Sequence, residues 1–136
     1  MKVELTIPGQ PKGKGRPRFS KYSGAYTPKA TADYEKTVRI LYKAKYGTQS
    51  FSEDVPLSME VYAYFGIPKR DNKVTKALKA SGEVLPVIKS DIDNVIKIIA
   101  DSLNGVAYPD DKQITDIIAY KRYSENPRVD VIIREK

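Results

Sequence analysis

Apolar residues alternate with polar ones in some stretches of this chain and recur every three to four residues in others. Period-two alternation predicts strands over residues 3–7 and 55–67, and two further strands are predicted over residues 113–123 and 128–134. Helical spacing predicts helices over residues 29–46 and 91–104, and a shorter polar helix within residues 68–90. The resulting order β, α, β, α, α, β, β favours an α+β fold with a mixed β-sheet and two main helices.

A chain of 136 residues, 40% of them hydrophobic, can bury one modest core, so we expect a single domain over residues 1–136. The sequence contains no Cys and no His, which excludes disulfides, thiolate chemistry and a histidine general base. Any catalysis must therefore use carboxylates, Lys, Arg, Tyr, Ser or a hard metal ion. The apolar runs are too short for a membrane span, and we expect a cytoplasmic protein with no membrane contact.

The net charge of +7 originates in the N-terminal third of the chain. Residues 1–50 contain eleven Lys or Arg and three acids, whereas residues 51–100 contain seven of each and residues 101–136 contain six and seven. A Pro- and Gly-rich stretch over about residues 10–28 predicts an exposed basic arm. Such an arm is typical of a polyanion contact, although a solvated basic face explains it equally well. Its candidate DNA-binding cations are Lys12, Lys14, Arg16, Arg18 and Lys21.

Acidic residues gather on the second main helix and in the loop that follows it. Helix residues at i, i+4 and i+8 share a face, so Asp93, Lys97 and Asp101 are expected on one side of this helix. Converging carboxylates repel one another unless a cation neutralises them, and oxygen ligands without His or Cys favour Mg²⁺ or Mn²⁺. The five acids lie within 21 positions: Asp91, Asp93, Asp101, Asp110 and Asp111.

Each acid also has a simpler interpretation, as a helix cap, an exposed ion pair or a turn residue. A calcium loop would begin like Asp91-Ile92-Asp93, but the glycine needed at its sixth position is Ile96 and the glutamate needed at its twelfth is Ser102. The combination of acids with a neighbouring basic arm favours a hard-metal site that acts on a polyanion.

Several segments resemble the RusA family of Holliday junction resolvases: residues 90–97 (SDIDNVIK), 101–105 (DSLNG) and 110–113 (DDKQ). Their order matches the family pattern of D-x-D-N-x-x-K at a helix start, an Asp four residues after the Lys, and a D-D pair before the next strand. Residues 14–18 (KGRPR) are similar to a basic segment common near the start of such proteins. The resemblance covers most of the chain and is loose over residues 47–89.

The resemblance implies a homodimer that binds four-way DNA junctions and cuts two strands of like polarity during recombination and repair. It implies Mg²⁺ as the cofactor, with Mn²⁺ as a substitute, and no organic cofactor. The catalytic residues that it implies are Asp91, Asp93, Asp111 and Lys97. The same three acids are then the expected metal ligands, with Asp110 as a further one.

An implied homodimer needs a contact surface on a small chain. The strand predicted over residues 55–67 has apolar residues on one face and Tyr62 and Tyr64 on the other. A core of this size covers two sheet faces incompletely, so we expect these tyrosines to contribute to the dimer contact.

Two other functions fit parts of the sequence. A non-catalytic DNA-binding module would explain Gly15-Arg16-Pro17, which resembles the core of an AT-hook, but it leaves the acids without a role. A structure-selective Mg²⁺ nuclease with the same site but other branched DNA substrates explains both the arm and the acids. Only a panel of substrates separates this nuclease from a junction resolvase.

Overall fold

The computed structural model describes residues 1–22 and 24–136. Its elements follow the predicted order, with one addition near the N-terminus. They are β1 (Lys2–Pro8), β2 (Arg18–Ser20), β3 (Gly24–Tyr26), α1 (Lys29–Tyr46), β4 (Leu57–Gly66), α2 (Lys73–Ala80), α3 (Ile92–Leu103), a 3₁₀ turn (Asp111–Gln113), β5 (Ile114–Ser124) and β6 (Arg128–Glu135). Within the described residues, every helix is too short or too polar to span a bilayer.

Four strands form one mixed sheet in the order β1-β6-β4-β5. β6 pairs antiparallel with both β1 and β4, whereas β4 and β5 are parallel. Parallel neighbours need a long crossover, and here α2 and α3 lie in the segment that connects β4 to β5. The predicted α+β class with a mixed sheet is confirmed.

The helices pack on one face of this sheet, where alternate strand residues form the core. In β4 every second residue from Leu57 to Phe65 is buried, as the period-two pattern predicted. α3 buries Val95, Ile98, Ile99 and Leu103 against the same core. Because its buried stripe is fixed by this packing, the opposite side of α3 must face outward.

The basic arm over residues 10–28, predicted as an irregular loop, contains a short hairpin. β2 and β3 pair antiparallel, with Arg18 opposite Tyr26. Strands of three residues with exposed apolar side chains give no period-two burial pattern, so the sequence carried no strand signal here. Ser23, between the two strands in sequence, lies outside the described residues.

The face of the sheet opposite the helices carries a layer of tyrosines and arginines. The rings of Tyr62 and Tyr120 lie 4.5 Å apart between centroids, and Tyr64 meets Tyr120 edge-on at 6.1 Å. The guanidinium groups of Arg122 and Arg128 lie over two of these rings, 4.2 and 4.1 Å from their centroids. The two tyrosines expected at a dimer contact are therefore half-buried within their own sheet face.

Candidate active site

The first turn of α3 carries two of the predicted site acids. Asp91 is the N-cap residue, and its backbone carbonyl accepts hydrogen bonds from the amides of Asn94 (3.0 Å) and Val95 (3.1 Å). Its side chain is exposed, and so is that of Asp93 in the first turn. Both carboxylates therefore lie at the N-terminus of α3, where the helix dipole favours negative charge, and both are accessible from solvent.

A surface cavity of about 310 Å³ lies between α3 and the start of β5. Its polar lining residues are Asp93, Lys97, Asp101 and Asp111. Its apolar lining residues are Ile96, Ala100, Ile114 and Ile117. The predicted i, i+4 and i+8 spacing thus places three α3 side chains on one wall, and the loop after α3 brings Asp111 to them. Asp91 and Asp110 lie outside this lining.

The adjacent acids Asp110 and Asp111 have different structural roles. The Asp110 carboxylate caps the 3₁₀ turn by accepting a hydrogen bond from the Lys112 amide (2.9 Å), and the Asp110 amide donates to Gln113 Oε1 (3.2 Å). The Asp111 amide donates to Asn104 Oδ1 (3.2 Å), which ties the turn to the end of α3. These bonds leave Asp111 as the member of the pair that lines the cavity.

The pKa of Asp111 is shifted by its surroundings. Burial raises the pKa of its carboxyl group above the ordinary 3.8, and the neighbouring Asp110 and Asp101 raise it again, while Lys97 lowers it. Carboxylates are therefore close enough at this corner to repel one another.

Asp101 is the centre of an ion-pair network at the cavity. Both of its carboxylate oxygens lie 3.2 Å from Lys97 Nζ. Its Oδ2 also lies 3.2 Å from Lys14 Nζ, and Lys14 Nζ donates to Glu35 Oε2 at 2.9 Å. Lys14, predicted as a phosphate-binding residue of the arm, thus lies beside the candidate site.

The remaining cations of the arm are exposed, namely Lys12, Arg16, Arg18 and Lys21. Residues 10–15, which we call the strap, are held on the body of the domain by hydrogen bonds. Gly66 N donates to Gln10 Oε1 (2.9 Å), Lys14 N donates to Asn94 O (2.9 Å), and Gly15 N donates to Thr31 Oγ1 (3.1 Å). The strap therefore connects the end of β4 to α3 and α1, and the β2–β3 hairpin follows it.

The donor set of the cavity suits a hard metal ion. Across residues 1–22 and 24–136, no three Asp, Glu, His or Cys side chains already lie close enough together to hold one. Asp93 and Asp111 nonetheless line the same cavity, and burial together with nearby carboxylates raises the pKa of Asp111. A divalent cation would relieve this repulsion, and carboxylate oxygens are the ligands that Mg²⁺ and Mn²⁺ prefer.

Three residues that shape the site were not assigned a role from the sequence: Glu35, Asn104 and Gln113. Glu35 had a usable signal, because it lies between Thr31 and Val38 on the buried stripe of α1, where a carboxylate needs a cation partner. Asn104 and the buried Gln113 act through loop hydrogen bonds, including Gln113 Nε2 to Ser52 O at 2.8 Å. Residue spacing contains no signal for such contacts.

Comparison with known proteins places the chain among nucleases. The model of a family described as endodeoxyribonuclease RusA matches residues 8–134. The chain is also 35% identical, over 137 residues, to Uncharacterized protein YqaN of Bacillus subtilis (strain 168), in a match that covers 98% of this chain and 96% of that protein. The family match spans the strap, the α3 acids and the Asp110-Asp111 pair. The chain therefore belongs to the endodeoxyribonuclease RusA family.

Proposed function

We propose that this protein binds four-way DNA (Holliday) junctions and resolves them by paired phosphodiester hydrolysis in recombination and repair. Its membership of an endodeoxyribonuclease family supports DNA cleavage. The observation that carries the proposal is the cavity that unites Asp93, Lys97 and Asp111. A carboxylate cluster with one lysine suits hydrolysis of a phosphodiester in a chain without His or Cys.

The cofactor in this proposal is Mg²⁺, for which Mn²⁺ substitutes. Asp91, Asp93 and Asp111 would hold it, with Asp110 as an adjacent carboxylate. When bound, such an ion polarises the scissile phosphate and lowers the pKa of a coordinated water. The chain itself contributes the fixed positions of these acids, two at the start of α3 and one opposite, anchored by Asn104.

Lys97 is the residue that offsets the negative charge that develops on the phosphate during attack. Its side chain is 61% exposed at the cavity, which leaves the ammonium group accessible to a substrate. Asp101 orients this ammonium group through both carboxylate oxygens. The pair thus combines a defined position with an open approach for DNA.

The basic arm is the proposed DNA-binding surface. Its exposed cations contact backbone phosphates, which positions the DNA without reading its sequence. On the hairpin, Phe19 and Tyr22 are 80% and 89% exposed, and such aromatic rings can stack on unpaired bases at a crossover. Arm contacts and base stacking together favour a branched substrate over a linear duplex.

Paired cuts require two sites, and we propose that a two-fold homodimer supplies them. β5 is an edge strand of the sheet, and its Ile117 and Ile118 are 47% and 61% exposed. An edge strand with exposed isoleucines suits contact with a second copy of the chain. Because Tyr62 and Tyr64 already contact Tyr120 within their own sheet face, we place the dimer contact at the exposed edge strand β5, whose Ile118 lies at the border of that face.

Cleavage of a synthetic four-way junction beside a linear duplex of matched sequence tests the proposal. We expect junction cleavage with Mg²⁺ or Mn²⁺, much slower cutting of the duplex, and no cleavage in EDTA. Undiminished cleavage in EDTA would overturn the metal-dependent mechanism. Equal rates on the junction, a replication fork and a flap would instead identify a nuclease for branched DNA in general.

A further inference from the structure

We infer that Lys14 is a positioning residue of the nuclease site, which holds Asp101 in place and thereby fixes the ammonium group of Lys97 at the cavity. The inference rests on the proposed role of Lys97 in phosphodiester hydrolysis. It gives Lys14 a different task from the exposed cations of the same arm.

Lys14 is more buried than the other cations of the arm. Its side chain is 21% exposed, and its two acidic partners, Glu35 and Asp101, are 12% and 23% exposed. Burial alone would lower the pKa of Lys14, but hydrogen bonds to Glu35 and Asp101 outweigh it, and the pKa is raised above 10.5. Lys14 is therefore charged at any pH at which the nuclease works. Its ammonium group is already paired with the carboxylates of Glu35 and Asp101.

The backbone around Lys14 fixes where its side chain begins. Its amide is bonded to Asn94 O on α3, and the next amide, of Gly15, is bonded to Thr31 on α1. Glycines on both sides permit this close approach. A Cβ atom on Gly13 would lie 3.1 Å from Asn94 Cβ, and one on Gly15 would lie 2.5 Å from Thr31 Oγ1. The strap thus holds Lys14 between the two helices.

The charges of this network are balanced while Lys14 is present. Two ammonium groups, of Lys14 and Lys97, face two carboxylates, of Glu35 and Asp101. Without Lys14, the Glu35 carboxylate loses its cation partner, and Asp101 loses its tie to the strap while keeping Lys97 at 3.2 Å from both of its oxygens. We expect the Asp101–Lys97 pair then to lose its fixed position, because nothing on the strap holds Asp101 any longer, and the ammonium group of Lys97 to be misplaced relative to the phosphate.

This role predicts a kinetic effect that differs from the loss of a phosphate contact. Lys14→Met keeps the length of the side chain and removes its charge. We expect kcat on a four-way junction to fall about 10- to 100-fold, the size of effect that a misplacement of about 1 Å produces. The slope of log affinity against log salt should not change, because the variant loses no contact with a DNA phosphate. In Arg16→Met, the matched variant of an exposed arm cation, this slope should fall by about 0.9.

The double variant Lys14→Met/Glu35→Gln separates positioning from folding. It removes the unpaired Glu35 charge that would destabilise the single variant, so the unfolding temperature should return toward that of the wild type. The kcat should stay low, because Asp101 still lacks Lys14. Recovery of full kcat in the double variant would show that Lys14 only supports the fold.

Junction cleavage by the wild-type protein distinguishes failure of this inference from failure of the proposed function. If it cleaves junctions and Lys14→Met cleaves them with the same kcat, the positioning role is wrong and the proposed function stands. A salt slope that falls in Lys14→Met as it does in Arg16→Met would also contradict this role and make Lys14 a phosphate contact. If the wild type cleaves no junction with Mg²⁺, the proposed function fails and the inference fails with it.

Discussion

A single carboxylate, Asp111, connects the stability of this fold to its proposed chemistry. Burial raises its pKa, and the carboxylates of Asp110 and Asp101 add to the effect. The folded chain therefore holds the Asp111 proton more tightly than the unfolded chain, so stability falls as the pH rises from 3.8 through the raised pKa. Above the raised pKa the ionised Asp111 destabilises the fold, which is the expected cost of gathering the carboxylates that we propose as metal ligands.

Asp111→Asn should consequently separate stability from activity. Junction cleavage should fall by more than the about 10- to 100-fold that changes around a metal ligand typically cause. The unfolding temperature at pH 7 should rise, and this gain should vanish below pH 3.8, where Asp111 is protonated in both states. Calorimetry across this pH range measures the difference. An unfolding temperature equal to or below that of the wild type at pH 7 would contradict the electrostatic account.

Lys97→Ala tests the proposed catalytic role of Lys97. Loss of a group that stabilises developing charge typically costs about 100- to 1,000-fold in kcat, and we expect a loss of this size. The fold should be unaffected, because the Lys97 side chain is 61% exposed. Single-turnover cleavage beside circular dichroism measures both quantities, with the exposed Lys36→Ala on α1 as the control. A rate near that of the wild type would make Lys97 an ordinary surface ion pair with Asp101.

At the scale of elements, the strap determines how the arm is attached to α1 and α3. Gly15→Ala should disturb this attachment, because the new Cβ would lie 2.5 Å from Thr31 Oγ1, and Thr31 is buried. Overpacking of this kind costs about 1 to 3 kcal/mol. We expect a lower free energy of unfolding in urea and weaker junction binding.

Thr31→Ala in the Gly15→Ala background is the matched test of the cause. It removes the oxygen that the new methyl group would meet, so it should recover part of the lost stability despite the lost hydrogen bond. Additive losses in the double variant would show that the contact between the strap and α1 does not carry the effect.

The sequence predicted the large elements well and their contacts poorly. α1 was bounded correctly because Gly47, at a φ of +62°, ends an uninterrupted helical pattern, and β4 because its alternation is long. The placement of Asp93, Lys97 and Asp101 on one side of α3 was predicted from their i, i+4 spacing alone. The contact of Lys14 with Glu35 and Asp101 could not be predicted, because it joins α1 and α3 through the strap, whose sequence has no periodicity. The β2–β3 hairpin was missed for the same reason.

At the scale of the whole molecule, the proposed dimer makes a prediction about β5. Ile118→Glu should convert the dimer into a monomer, because it buries a charge in the contact. The fold should change little, since Ile118 is 61% exposed in the single chain. Sedimentation equilibrium should give twice 15.3 kDa for the wild type and 15.3 kDa for the variant. Ile40→Glu, a 56% exposed position on α1, is the control that should remain dimeric.

A wild-type mass of one chain, both free and with a junction bound, would contradict paired cutting by a homodimer. A variant that remains dimeric while the wild type is also dimeric would place the contact elsewhere on the molecule.

The most direct test of junction resolution uses a supercoiled plasmid that extrudes a cruciform. Two coordinated cuts across the cruciform give linear plasmid in one binding event, whereas single cuts give relaxed circles. With Mg²⁺ we expect linear plasmid as the first product, no product in EDTA, and none with Asp111→Asn. Relaxed circles as the lasting product, or equal cutting of a plasmid without the cruciform, would contradict the proposal that this protein resolves four-way junctions.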